Sequence, residues 1–138
     1  MLKKLSVLMI AAFCVVLFNG CAIGRYDNNY KTMDDMSRHF LNSGLQVDAI
    51  HPLMPFFRAQ TACSMLIDGT EIGIYKYEVF SGITAKKNKE KLDELYDKRY
   101  VYIEGLKYPI LLNGTFMLIG YEKNPSRNKI IEVFQSFE

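Results

Sequence analysis

The sequence predicts an α+β domain: an antiparallel sheet of about five strands built from two β-hairpins, with three helices packed mainly on one face. Three observations carry that reading. Asp68-Gly69 and Asn113-Gly114 each sit between two runs of strand-forming residues, and three further segments place apolar residues at helical spacing.

The first helix is expected from about 33 to 43. Thr32 is its N-cap and Asp35 completes a near capping box three residues on. Asp34 and Asp35 suit the positive end of the helix dipole. Met33, Met36, Phe40 and Leu41 fall on one face, and Gly44 stops the helix. Val47 to Ile50 reads as a short strand, after which Pro52 and Pro55 interrupt regular structure.

The first hairpin joins Thr61–Ile67 to Thr70–Tyr77 through Asp68-Gly69, a type I′ turn in which both central residues take positive φ. Its register pairs Met65 with Ile72 and Cys63 with Ile74 on the core face. Leu66, Glu71, Gly73, Tyr75 and Tyr77 fall on the other face.

A second helix is expected from about Ala85 to Asp97, capped by Thr84. Lys86–Glu90 and Lys89–Asp93 are its i,i+4 pairs, and Leu92, Leu95 and Tyr96 form a narrow apolar stripe. Its lysines, diluted by Glu90, Asp93 and Glu94, read as a solvated face. Tyr100 to Glu104 is strand-like. Tyr108–Leu112 and Thr115–Tyr121 form the second hairpin around Asn113-Gly114, with Pro109 confining its strand to an edge or a bulge. Asn124 and Pro125 open the third helix, with Ile130, Ile131, Phe134 and Phe137 as its buried face.

The hairpins invite superposition. Met65 to Thr70 aligns with Ile110 to Thr115, which places Ile72 on Met117 and Ile74 on Ile119. An internal repeat and the chance likeness of two similar turns both account for this. The layout is similar to small envelope domains built from repeated helix-and-hairpin units, such as β-lactamase-inhibitor-like folds. A likeness of layout transfers no function.

The chain opens with a different kind of signal. Lys3 and Lys4 precede a nearly uninterrupted apolar run from Leu5 to Phe18. Such a run is too short to span a bilayer, which needs about 20 residues. Behind a basic start it reads as a secretory leader over residues 1–20. Leu17, Phe18, Asn19, Gly20 and Cys21 resemble the lipobox of bacterial lipoproteins, departing from it at Phe18 and Asn19. The resemblance implies that the Cys21 thiol carries diacylglycerol, that the leader is cut before it, and that the new amino terminus is acylated. Two or more chains hold a protein stably on a membrane. It also implies an extracytoplasmic address. Ala22, where an Asp would matter for sorting, is compatible with the periplasmic face of the outer membrane in a Gram-negative cell. An ordinary secretory cut leaving Cys21 as a free thiol is the alternative. Residues 21–31 then form a polar tether of eleven residues, reaching at most about 35 Å, and residues 32–138 form a single domain.

Removing the leader changes the charge. The whole chain has 17 basic and 15 acidic residues, but Lys3 and Lys4 leave with the leader. The remainder is neutral, which gives no support for a nucleic-acid partner. Of three cysteines, Cys14 is in the leader and Cys21 is the lipidation site, so Cys63 stands alone and reads as a buried thiol.

No motif announces catalysis, a metal or a cofactor. His39 and His51 lack ligand partners at a recognisable spacing. Asp48, His51 and Cys63 supply the residue types of a nucleophilic triad without its signature. Tyrosine is the remaining oddity. Tyr75, Tyr77 and Tyr102 are candidates for contact with an envelope protein, with packing beneath a helix as the plainer explanation. The function expected is therefore a lipid-anchored, non-enzymatic binding domain. The alternatives are an inhibitor of an envelope-directed hydrolase, acting through Pro52–Phe57 or Phe80–Thr84, and a carrier of a small ligand or lipid.

Overall fold

Thr32 does what its spacing to Asp35 suggests. Its hydroxyl accepts from the Asp35 backbone N–H at 3.2 Å, while the Asp35 carboxylate accepts from the Thr32 backbone N–H at 2.8 Å. This complete capping box starts α1, Met33–Leu41, and Gly44 leaves the helix region at φ 88°. In the computed structural model, which describes residues 24–138, the order continues β1 Val47–Pro52, β2 Thr61–Ile67, β3 Thr70–Lys76, α2 Ala85–Lys98, β4 Tyr100–Ile103, β5 Leu106–Pro109, β6 Leu111–Asn113, β7 Phe116–Ile119 and α3 Arg127–Gln135. The leader and Cys21 lie outside the described residues.

Five strands form an antiparallel sheet in the order β1-β2-β3-β7-β6. The turn between β2 and β3 has Asp68 at φ 54° and Gly69 at φ 77°, and the register pairs Met65 with Ile72 and Cys63 with Ile74, as the sequence predicts. The second hairpin is shifted by one residue. Asn113 pairs with Phe116, so the turn is centred on Gly114-Thr115, with Gly114 at φ 58°. The Asn113 side chain is committed elsewhere: its amide donates to the carbonyls of Phe134 and Phe137 at 2.8 and 2.7 Å, closing the end of α3. The shift turns Met117 and Ile119 to the opposite face from Ile72 and Ile74. Leu118, not Met117, is therefore the structural counterpart of Ile72, and the two hairpins do not superpose along the sequence alignment.

Strand-forming residues around Pro109 form two short strands instead of one. β4 and β5 make a separate two-stranded hairpin through Glu104-Gly105, with φ 50° and 79°. Pro109 ends β5, and Ile110 donates its N–H to the Arg99 carbonyl before β6 begins.

Both faces of the sheet are covered. Ile72, Ile74, Met65, Phe116 and Leu118 meet α1 and α3 through Met36, Phe40, Ile130, Val133 and Phe134. Tyr75, Tyr77, Met117 and Ile119 meet α2 and β4 through Leu92, Leu95 and Val101. The helices thus divide two to one, because the second face carries an apolar cluster of its own. Val133 takes the buried place expected for Ile131, which is only partly covered. Among the described residues no helix is long and apolar enough to cross a membrane.

Candidate functional site

The segment before α1 is folded into the domain. Residues 24–31, expected as the distal part of a tether, form consecutive turns closed by backbone hydrogen bonds from Asp27 to Gly24, Asn29 to Tyr26 and Lys31 to Asn28. Asn28 is 1% exposed. Its side-chain oxygen accepts from the Thr115 N–H at 2.8 Å, and its amide donates to the Asn113 carbonyl at 3.2 Å. Gly114 leaves the space that Asn28 occupies, since a Cβ there would collide with the Asn28 amide group. The Asn29 oxygen accepts from the Val79 N–H at 3.0 Å, while its amide donates to Glu78 at 2.9 Å. Further out, Asp93 receives Arg25 at 3.0 Å and the Tyr26 hydroxyl. This commitment replaces the expected Lys89–Asp93 pair, and the Lys89 ammonium lies instead 5.0 Å from the Tyr26 ring centre.

Lys76 sits where this strap meets the sheet. It continues the Ile72–Ile74 stripe of β3, a position that calls for an apolar residue, and is only 6% exposed. Its ammonium donates to the Asn29 carbonyl at 2.9 Å and to the Thr115 hydroxyl, and lies 4.8 Å from the Phe116 ring centre. Burial pulls its pKa down to about 8, against a smaller raising effect of Glu78. Burial would raise the Glu78 carboxyl. Hydrogen bonds from Asn29 and from the Phe80 and Ser81 N–H groups outweigh that and hold it below its usual value.

Lys76 and Glu78 border an open cleft of about 610 Å³, with Tyr30, Met33 and Phe80 on its walls. An amine activated for nucleophilic attack needs a free direction toward its substrate. The Lys76 ammonium has two oxygen partners and an aromatic face, so its geometry fastens the strap to the sheet.

The other residues singled out by sequence are dispersed. Tyr75 and Tyr77 are buried in the second core, Tyr75 against Phe57 with ring centres 5.3 Å apart, and the Tyr77 hydroxyl donates to the Phe57 carbonyl at 2.8 Å. Neither is available as a docking side chain, because α2 covers the face they share. Tyr102 is 60% exposed on the outer face of the β4–β5 hairpin. It meets Tyr100 edge to face at 5.5 Å, and Lys107 lies 4.0 Å from the centre of the Tyr100 ring. Cys63 faces the first core beside the Met33 sulfur, its pKa raised by burial to about 11. His51 pairs with Ser64, one residue from Cys63, and so points to the other side of the sheet. His39 bonds the Val133 carbonyl at 2.7 Å. Among the described residues no three His, Cys, Asp or Glu side chains gather as a metal site would require.

The two segments named as candidate inhibitory loops, Pro52–Phe57 and Phe80–Thr84, both carry exposed apolar side chains. The loop Leu53–Gln60 exposes Met54 and Phe56 and holds Phe57 and Arg58 at φ 58° and 62°. Consecutive non-glycine residues in the left-handed region store strain of about 1–2 kcal/mol each. Phe80 and Ile83 project from the loop before α2. Lys76 is the residue that sequence reasoning passed over, although it carried a signal: a lysine at an apolar-stripe position. No protein-family model matches the chain, and no curated protein or solved structure matches it.

Proposed function

We propose that this chain is a lipid-anchored, non-enzymatic domain of the cell envelope that recognises a protein partner through the outer face of its β4–β5 hairpin. The lipobox-like sequence ending at Cys21 supports the anchor. One observation carries the choice of surface: Tyr102, exposed and braced by Tyr100, stands beside Lys107 on a hairpin that lies outside the main sheet. A tyrosine held by a neighbour offers large contact area at low entropic cost. Arginine, tyrosine and tryptophan anchors of this kind dominate protein interfaces.

The test is photocrosslinking from residue 102 in cells at native expression, with Gln46 as a distant exposed control. A discrete adduct from residue 102 and none from residue 46 is expected. Recovery of the chain alone from both positions would refute the assignment.

A second reading has a specific observation behind it. The strained Phe57-Arg58 backbone, with Met54 and Phe56 projecting beside it, suits a rigid inhibitory loop directed at an envelope hydrolase. Hydrolase activity in an envelope extract that falls on adding the purified domain, and recovers with Phe56→Ala, would favour this reading over the first.

A further inference from the structure

We propose that the loop before α2 and the first turn of that helix form a membrane-contact face, with Phe80 and Ile83 entering the bilayer and Lys86 and Lys87 meeting anionic headgroups. This rests on Cys21 as the anchor point. It adds which side of the domain the bilayer touches.

The docked strap supplies the first argument. Because chain 24–31 is fixed to the sheet, the leash from Cys21 is three residues long, a reach of about 10 Å, instead of eleven residues. Whatever surface surrounds Gly24 is therefore held close to the lipid. Two residues after Gly24, the Tyr26 ring meets the Phe80 ring edge to face with centres 6.1 Å apart. The chain's point of entry and the apolar loop are thus neighbours.

The surface chemistry is the second argument. Phe80 is 68% exposed and Ile83 fully exposed, three residues apart on one loop. Lys86 and Lys87 follow immediately, both exposed, and Arg25 and Lys89 lie on the strap side of the same helix. Apolar side chains ringed by lysines match the lipid interface, where aliphatic and aromatic groups enter and cations stay at the headgroups. The nearby acids are largely occupied. Glu78 is turned inward on Asn29 and the Phe80 and Ser81 N–H groups, and Asp93 holds Arg25 and Tyr26. Glu90 is exposed one turn further along α2. The opposite end of the sheet, at Gln46 and the Asp68-Gly69 turn, lies about 20 Å away along β2 and would face away from the membrane.

The chain has no tryptophan, so a single one reports its own surroundings. Chain 21–138 contains both cores and the strap complete. It would be coupled through Cys21 to a maleimide lipid, the buried Cys63 thiol being unreactive, in vesicles of equal parts phosphatidylcholine and phosphatidylglycerol. Ile83→Trp should lose most of its emission when the lipid chains are brominated, while Gln46→Trp should be unchanged. Without the coupled lipid, Lys86→Gln with Lys87→Gln should weaken partition to the same vesicles about twenty-five-fold, since each near-surface cation contributes about a factor of five. Equal quenching at both positions, or none at Ile83→Trp, would overturn the proposal. So would a lipid-free dimer that Ile83→Ser dissociates, because a second copy would then cover the patch. Failure of the anchor itself would show separately, as an unmodified Cys21 in the native chain, and would leave the quenching result standing.

Discussion

Replacing Asn28 by alanine tests whether the strap belongs to the fold. The Asn28 side chain is the partner of the buried Thr115 N–H and of the Asn113 carbonyl, at 2.8 and 3.2 Å. Alanine leaves the buried Thr115 N–H without its partner and removes the side-chain bond to the Asn113 carbonyl. A buried polar group left unsatisfied costs about 1–3 kcal/mol. With the lost packing of the amide, Asn28→Ala should destabilise chain 21–138 by about 3 kcal/mol, lowering its melting temperature by roughly 10 °C. Urea unfolding measures the free energy, and hydrogen exchange at the Thr115 amide reads the contact itself. The exposed Asn128 on α3 is the control, expected to change stability by less than about 0.5 kcal/mol on replacement by alanine. A tether would tolerate either substitution. If Asn28→Ala unfolds at the wild-type urea concentration with the Thr115 amide still protected, the strap is not part of the domain. The short leash and the membrane-contact face would fall with it.

Lys76 makes stability rise with pH. Its folded pKa is near 8 against an ordinary 10.5. Below about pH 8 the amine is charged in both states and its desolvation cost is fully felt. Between the two values the unfolded chain binds more protons, so stability increases with pH. Relative to Lys76→Met, the wild type should gain on the order of 2 kcal/mol between pH 8 and 9.5, measured by urea unfolding across that range. A constant difference would contradict the burial of a charged amine there. Glu104 occupies a left-handed position of the β4–β5 turn at φ 50°. Glu104→Asn should therefore stabilise the protein by about 1 kcal/mol, seen as a rise in melting temperature, and a loss of stability would speak against the type I′ geometry.

The elements readable from sequence are those fixed by neighbouring residues. Thr32 and Asp35 are three apart and make their capping box with no help from the rest of the chain. Asp68-Gly69 sets its own turn, and the alternation on either side sets the register. What local reading missed depends on partners far along the chain. Asn113 is drawn out of the turn by carbonyls of α3, more than twenty residues away. Asn28 and Asn29 look like soluble tether residues until Asn113, Thr115 and Val79 are placed beside them. The Glu104-Gly105 turn was hidden because glutamate disfavours positive φ, and the hairpin pairing overrides that preference. Of the three tyrosines suggested as contacts, the alternation of β3 placed Tyr75 and Tyr77 on the correct face, but only the position of α2 decides that the face is covered. Phe80–Thr84 is marked by sequence as a candidate protruding loop, but between elements periodicity does not say which of its side chains project.

The proposed membrane anchor stands on the chemistry of one sulfur, that of Cys21. Intact-mass and peptide mass spectrometry of the native protein, extracted from membranes with detergent, reads that chemistry without assuming any partner. The expected amino-terminal peptide begins at Cys21 and carries a diacylglycerol thioether together with an amide-linked fatty acid. A peptide beginning elsewhere, or residue 21 bearing a free thiol, would contradict the anchor.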